Sequence, residues 1–440
     1  MTAVALPTAR LRTDAGLGFV IGLNLCLAGI YANFAVSVGN YPYPGVAVLI
    51  GAAFLIPHMT PHARSLKWLG LIFTFLVLSF ATGGREVNDS LGRMTSLLQI
   101  IAALGCAHIL LCAMNYPKTV RRALFLWTMF IVVGVVLEST FPPFRDLSDA
   151  FRHAAFEGRF IYENDARDIQ QYGFVRPKLF TREPAHVAMA FMTFAPGWYV
   201  LSPFRRRFVL LLICTFLVAL FLGSPIVLLV PPLAWFLDRM LAQRAMSGVV
   251  AAGLPVLAIV GFTLTQVFST RFANILSGKD GSFFVRFQGP YEVAIKTIEQ
   301  FPILGVGVGH KEALYKEVQD VYTHYYQFNT SWVYHNYLYA LNNAFANSLS
   351  YFGLVGAVVF YFLVAKWAKG FGIGPWVSLP VILLLLQFDG ALEAIKMWGS
   401  IAVVLSAYAM ARTASPRCPQ PGGPSENSSA VRFHRPDGKN

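Results

Sequence analysis

Apolar runs recur along nearly the whole chain, near 15–36, 43–57, 67–82, 95–114, 122–140, 185–201, 207–222, 224–237, 246–267, 336–364, 375–388 and 395–411. Only 13% of the residues are charged, against about 25% in soluble domains. A water-soluble core cannot bury so many apolar faces, whereas a bilayer accepts them. Each crossing there takes roughly 17–25 residues of helix, because backbone polar groups must be satisfied internally. The pattern predicts an all-α polytopic membrane protein with about 12 transmembrane helices and two long loops. Gly223-Ser224-Pro225 marks either a tight turn or a break within one bent span.

The net charge of +13 does not point to nucleic acid, because the basic residues sit in short loops between apolar runs. With the N-terminus inside, Arg64, Lys67, Lys118, Arg121, Arg122, Arg205, Arg206, Arg207, Arg239, Arg244, Lys366 and Lys369 fall in inner loops, and only Arg85, Arg93 and Lys396 fall in short outer ones. The positive-inside rule then places both termini in the cytoplasm. The expected organisation is an N-terminal stretch 1–14, spans over 15–140, a first outer loop 141–184, spans over 185–267, a large outer loop 268–335, spans over 336–412 and a Pro/Gly/Ser-rich disordered tail 413–440. Residues 15–36 read as an uncleaved first helix. Four of the five cysteines lie in apolar runs and Cys418 in the tail, so neither a structural disulfide nor a CxxC site is expected.

Chemistry-bearing residues concentrate in the two long loops. The first closes on Arg176-Pro177-Lys178-Leu179-Phe180-Thr181-Arg182-Glu183-Pro184. Pro184 suits the first turn of a helix, whose N-terminus favours an anion. Arg176 and Arg182 beside it form a candidate diphosphate cradle, or they are interfacial cations that snorkel. The second carries Arg286, an amphipathic helix over 289–301, and Phe301-Pro302-Ile303-Leu304-Gly305-Val306-Gly307-Val308-Gly309-His310. Those glycines lack the strand-turn-helix context of a nucleotide fingerprint. They predict a backbone that passes close to another segment or takes positive φ. His310, His324 and His335 are too widely spaced for a metal motif. His335 is expected to open a helix that continues through Tyr339, Asn342, Asn343 and Asn347, lining either a wet cavity or an interhelical contact. Asp389, Glu393 and Lys396 read as a solvated turn, with a general base in reserve.

Three of these pieces resemble one family. They are Arg176-Pro177 with Phe180 and Glu183-Pro184; Arg286 with Phe301-Pro302-Ile303-Leu304-Gly305-Val306-Gly307; and His335-Asn336-Tyr337-Leu338 ahead of Gly353. Their order and the loop before the His-Asn pair are similar to the bacterial envelope polymerases and ligases of lipid-linked glycans: Wzy-type O-antigen and exopolysaccharide polymerases, and O-antigen ligases. The resemblance spans roughly 176–353. It implies an inverting, metal-independent glycosyltransferase without cofactor, working at the periplasmic face of the inner membrane on undecaprenyl-diphosphate-linked donor and acceptor. It also implies a chain-length regulator and a flippase as partners. Arg286, with Arg176 or Arg182, would bind diphosphate; His335 would assist the acceptor hydroxyl, with Glu183 as the other candidate base; His310, Asn336 and Tyr339 would contact substrate. The expected activity is a polysaccharide polymerase. An O-antigen ligase acting on lipid A core, and a transporter of lipid-linked oligosaccharides, are the alternatives.

Overall fold

The structure, a computed structural model, describes residues 15–38, 41–60, 62–82, 90–156, 161–242, 273–278, 280–325, 328–388 and 390–414. The expected span over 246–267, the tail from 415, Arg85 and Asp389 lie outside the described residues.

The described chain is helical except for one short antiparallel hairpin, β1 (Ala35–Val38) with β2 (Tyr41–Pro44), in register Ala35↔Pro44 and Val38↔Tyr41. The chain is all-helical as expected apart from this local hairpin, which takes the start of the apolar run at 43. The reason is local: Pro42 and Pro44 cannot donate in a helix, and Gly45 at φ 81 then starts the next helix.

The helices in order are α1 (Leu17–Ala32), α2 (Val46–Leu55), α3 (Ala63–Thr82), α4 (Ser90–Ala113), α5 (Pro117–Thr140), α6 (Pro142–Ala155), α7 (Asp165–Tyr172), α8 (Pro184–Leu201), α9 (Arg207–Leu222) and α10 (Val230–Leu241). After the gap come α11 (Gly289–Gln300), α12 (Tyr315–Tyr322), α13 (Thr330–Ala340), α14 (Ala344–Gly370), α15 (Pro375–Leu386) and α16 (Ile395–Ala414). Four of the described helices, over Ala63–Thr82, Leu91–Ala113, Pro117–Thr140 and Ala344–Gly370, are long and apolar enough to cross a bilayer; four shorter apolar helices accompany them. The chain is thus built as a membrane protein, with several elements shorter than the runs suggested.

Two helices form the centre. In α8 every residue from His186 to Val200 is buried, and α16 is buried from Ile395 to Tyr408. Both are apolar all round, as a helix with no solvent face must be. They pack against each other, with α4 beside α16 and α5 beside α8. By contrast α3 has only 28% of its apolar window buried inside the protein and packs on α14 at the periphery. The first long loop is largely helical (α6, α7), and the bend at Gly223–Pro225 is a left-handed Gly223 followed by a 3₁₀ turn.

The long apolar run at 336–364 is not one helix. α13 ends at Ala340, α14 starts after Asn343, and Gly353 breaks α14 internally with φ 65 and ψ −177. Asn343 caps the restart, accepting from the Ala346 amide at 2.9 Å, while the Asn347 side-chain amide donates to the Leu341 carbonyl at 2.8 Å. A helix through His335, Tyr339 and Asn342 therefore does not form. The asparagines satisfy the backbone groups that the interruption leaves open.

Candidate functional site

The segment 176–183 is held from several sides. Glu138, buried on α5, accepts from the amides of Lys178 at 2.8 Å and Leu179 at 2.7 Å. Ser148 on α6 accepts from the Phe180 amide at 2.9 Å. Arg152, 1% exposed, donates to the carbonyls of Thr181 and Tyr162, both at 2.8 Å, and pairs with Asp149. Tyr31 donates to the Leu179 carbonyl. Leu179 (φ 38) and Phe180 (φ 60) are left-handed without being glycine. Such residues cost about 1–3 kcal/mol each and persist where their surroundings over-determine them, as this bonding does.

Arg176 takes part in that framework. Its Nε lies 2.8 Å from Oδ1 of Asp168, which is fully buried, and its guanidinium sits over the rings of Tyr172 at 4.6 Å and Tyr162 at 5.4 Å. Tyr162 donates to the same carboxylate at 2.7 Å; burial, then that bond, pushes its phenol up to about 12. Lys178 pairs with Asp165 at 2.8 Å. The framework delivers the next two residues, Arg182 and Glu183, to the N-terminus of α8.

There a charged cluster assembles. Glu183 Oε2 lies 3.5 Å from Arg286 Nη2, and Oε1 lies 3.5 Å from His186 Nε2. Arg182 precedes Glu183 in the chain, and Lys396 lies in the first turn of α16, which packs against α8. His186 is 9% exposed, and its Nδ1 has no hydrogen-bond partner among the described residues. Glu183 and Arg286 are 24% and 26% exposed, so the cluster is buried at His186 and open at the pair. Both pairs at 3.5 Å are longer than a well-made charged hydrogen bond of about 2.7–2.9 Å.

Arg286 lies in a π-helical turn, Phe284–Gln288, between α11 and a single helical turn. Such turns are rare and recur at functional sites. The Asn343 side chain donates to the Arg286 carbonyl at 3.0 Å and to Gln387, whose Oε1 also accepts from Tyr291 at 2.7 Å. The pause between α13 and α14 thus fixes the arginine-bearing turn. Lys311 pairs with the buried Glu393, ahead of Lys396 on α16. Glu393 and Lys396 are 6% and 8% exposed, which corrects the reading of this turn as solvated. The packing of α16 against α4 and α8 closes it off from water.

The glycine-rich stretch repairs the break in α14. The amides of Val306 and Gly307 donate to the carbonyls of Ser350 and Tyr351 at 3.0 and 2.9 Å. In return the amides of Leu354 and Gly356 donate to the carbonyls of Pro302 and Ile303 at 2.8 and 3.0 Å. The two backbones meet so closely that a Cβ on Gly305 would lie 2.5 Å from Gly353 N, and one on Gly353 would lie 2.7 Å from Gly305 N. Close approach and positive φ, the reading of these glycines in the sequence, both hold here.

Of the predicted residues, the fold therefore gathers Arg182, Glu183 and Arg286 and assigns Arg176 to a separate buried pair. His335 is exposed on α13, its Nδ1 2.8 Å from the Ser331 carbonyl and its ring against Tyr334. Asn336 donates to the Trp332 carbonyl at 3.0 Å. The side chain of Tyr339 is outside the described residues. His310 is buried elsewhere, with Nδ1 on the Val306 carbonyl and Nε2 unpartnered among the described residues; burial, then Arg93, lowers its pKa. Sequence reading passed over His186, although it lies three residues past Glu183 and so one turn along the same helix face. Lys396, held in reserve with Asp389 and Glu393 in the sequence, lies in the first turn of α16 and is buried.

An apolar groove of about 600 Å³ runs along α14 and α15, from Phe345 to Lys366 and Lys369. At its Phe345 end lies Tyr291, with the ring centroids 6.1 Å apart. No protein-family model and no curated protein matches the chain.

Proposed function

We propose that the protein is a polysaccharide polymerase, a glycosyltransferase that joins undecaprenyl-diphosphate-linked oligosaccharide repeat units at the periplasmic face of the inner membrane. The observation that carries this reading is the meeting of Arg286 with Glu183, 103 residues apart in the chain, beside the buried imidazole of His186. A half-exposed ion pair of this kind adds little to stability, about 0–1 kcal/mol. Its value lies in what replaces it. An incoming diphosphate can exchange with the Glu183 carboxylate on Arg286.

The chemistry suits that exchange. A diphosphate leaving group gains negative charge as its bond to the anomeric carbon breaks. Arg supplies permanently charged, forked donors to phosphate oxygens. One such preorganised donor lowers a barrier by about 3–4 kcal/mol. The groove beside Tyr291 offers an apolar path for a polyprenyl chain below that headgroup.

The transporter alternative draws on broken helices, which carry substrate sites in many transporters. The break at Gly353 is filled by residues 302–307, which satisfy its backbone, so it offers no open coordination site. The O-antigen ligase alternative uses the same donor chemistry with lipid A core as acceptor. Purified protein incubated with lipid-linked repeats alone decides between them. Chain extension without lipid A core supports the polymerase and excludes the ligase; translocation without glycosidic product would overturn both enzyme readings.

A further inference from the structure

The Arg286–Glu183 pair lies at the start of α8, and the far end of that helix carries a second concave site. α8 spans 18 residues, about 27 Å of helix at roughly 1.5 Å per residue, close to the ~30 Å of a hydrocarbon core. Beyond Leu201 the chain turns into α9, and both helices pack against α5. A cavity of about 490 Å³ opens where the three meet, with Arg121, Arg122, Phe125, Trp198, Phe204 and Leu210 in its walls. That size is within the usual range of ligand sites, about 300–1,000 Å³. One side is apolar: the rings of Phe125 and Trp198 pack with centroids 5.5 Å apart. The other side is cationic. Arg121 and Arg122 in the second turn of α5 share this end with Lys118 and with Arg205, Arg206 and Arg207 at the start of α9. Asp238 is already held by Arg207 at 2.6 Å. Among the described residues Arg121 and Arg122 have no ion-pair partner. Lys118 and Arg206 stand at the positive ends of their helices, which disfavours a cation unless an anion joins it.

We infer that this cavity binds an anionic phospholipid of the bilayer leaflet at this end, with its phosphate on Arg121 and Arg122 and the upper part of an acyl chain against Phe125, Trp198 and Phe204. Guanidinium groups match phosphate oxygens with forked, permanently charged donors. By the positive-inside rule an end so charged faces the cytoplasm, where anionic lipids give the leaflet its negative surface potential, and basic pockets between helices there take acidic headgroups. The chain has a path to follow. Leu126 and Val133 on α5, and Ile213 and Phe216 on α9, continue from the cavity as exposed apolar side chains. The bound lipid ties together the ends of α5, α8 and α9. It is distinct from any anion on Arg286, because the length of α8 separates the two sites.

The test needs no glycosyl transfer. Purified full-length protein in detergent is titrated with phosphatidylglycerol or phosphatidylcholine, and retained lipid is read by native mass spectrometry. Phosphatidylglycerol is expected to be retained in preference; equal retention of the two overturns the inference. Displacement of phosphatidylglycerol by an equal concentration of inorganic phosphate assigns the site to a free anion and also overturns it. The double variant Arg121→Gln with Arg122→Gln is expected to lower the apparent affinity for phosphatidylglycerol by roughly 30-fold, about fivefold for each basic group at an anionic surface. Undiminished affinity overturns the inference. Lys366→Gln with Lys369→Gln, on the groove along α14, is expected to leave that affinity unchanged; an equal loss there marks a general surface effect and overturns the assigned site. If the arginine variant is not recovered folded, a bimane-labelled Phe204→Cys protein in nanodiscs decides. Nitroxide-labelled phosphatidylglycerol is expected to quench the label more than nitroxide-labelled phosphatidylcholine at the same mole fraction, and equal quenching overturns the inference.

Discussion

Arginines of equal appearance in the sequence take unequal parts. Arg286 faces the open side of the cluster, whereas Arg176 is locked on a fully buried carboxylate. Arg286→Ala is expected to leave the protein inserted and folded while lowering polymer formation by about 10²–10³-fold, the usual cost of one lost transition-state donor, as read from chain-length ladders. Arg176→Ala strands a buried charge on Asp168 and is expected to cost about 3–5 kcal/mol of stability, seen as a lower melting temperature in detergent. His335 is exposed on α13, so His335→Ala is expected to leave the melting temperature in detergent unchanged. His310 supplies a pH test. Its folded pKa lies below the ordinary 6.5, through burial and then Arg93. As pH falls below that value the unfolded chain binds the proton first, so stability is complete above it and declines beneath it. The melting temperature is expected to drop between about pH 7.5 and about pH 5.5, one unit either side of an ordinary histidine, and His310→Gln to flatten that slope.

At the scale of elements, the decisive feature is an interrupted helix and the loop that repairs it. Breaking α14 exposes two carbonyls and two amides, and residues 302–307 supply matching partners for all four. Irregular backbone within an apolar bundle is tolerated only when its polar groups are satisfied internally. Gly305→Ala and Gly353→Ala each place a Cβ within 2.4–2.8 Å of the other segment's backbone at positive φ. Both are expected to prevent the loop from seating, with loss of monodisperse protein or of activity. Gly105→Ala on α4, where a Cβ meets nothing within 4 Å, is the control; it is expected to be neutral or to stabilise by up to about 1 kcal/mol through helix propensity. Size-exclusion profiles of the three variants make the comparison.

At the scale of the molecule, α8 and α16 form a buried pair whose ends carry His186 and Lys396, so the cluster sits where the central helices meet the long loops. The expected orientation puts that end outside the cell. A cysteine at Ser331, exposed on α13, is expected to react with an impermeant maleimide on intact spheroplasts, and one at Lys369 only after permeabilisation. The described native cysteines, Cys26, Cys106, Cys112 and Cys214, are buried and give little background. The opposite labelling pattern would place both termini on the other side and move the cluster away from periplasmic substrate.

Apolar runs, proline positions and glycine conformation are properties of short stretches, and the sequence was sufficient for them. The bounds of α9, the start of α8 at Pro184, the amphipathic helix after Arg286 and the close passage at Gly305 were all legible, because hydrophobic period and backbone sterics act over a few residues. Partner choice was not. Whether Arg176 or Arg182 reaches the cluster depends on Asp168 and Glu138, which only folding brings near, and the burial of Glu393 and Lys396 depends on helices packed from elsewhere in the chain. Charge pairing is set by distance in space, and a linear order of residues carries no such distance until the bundle closes.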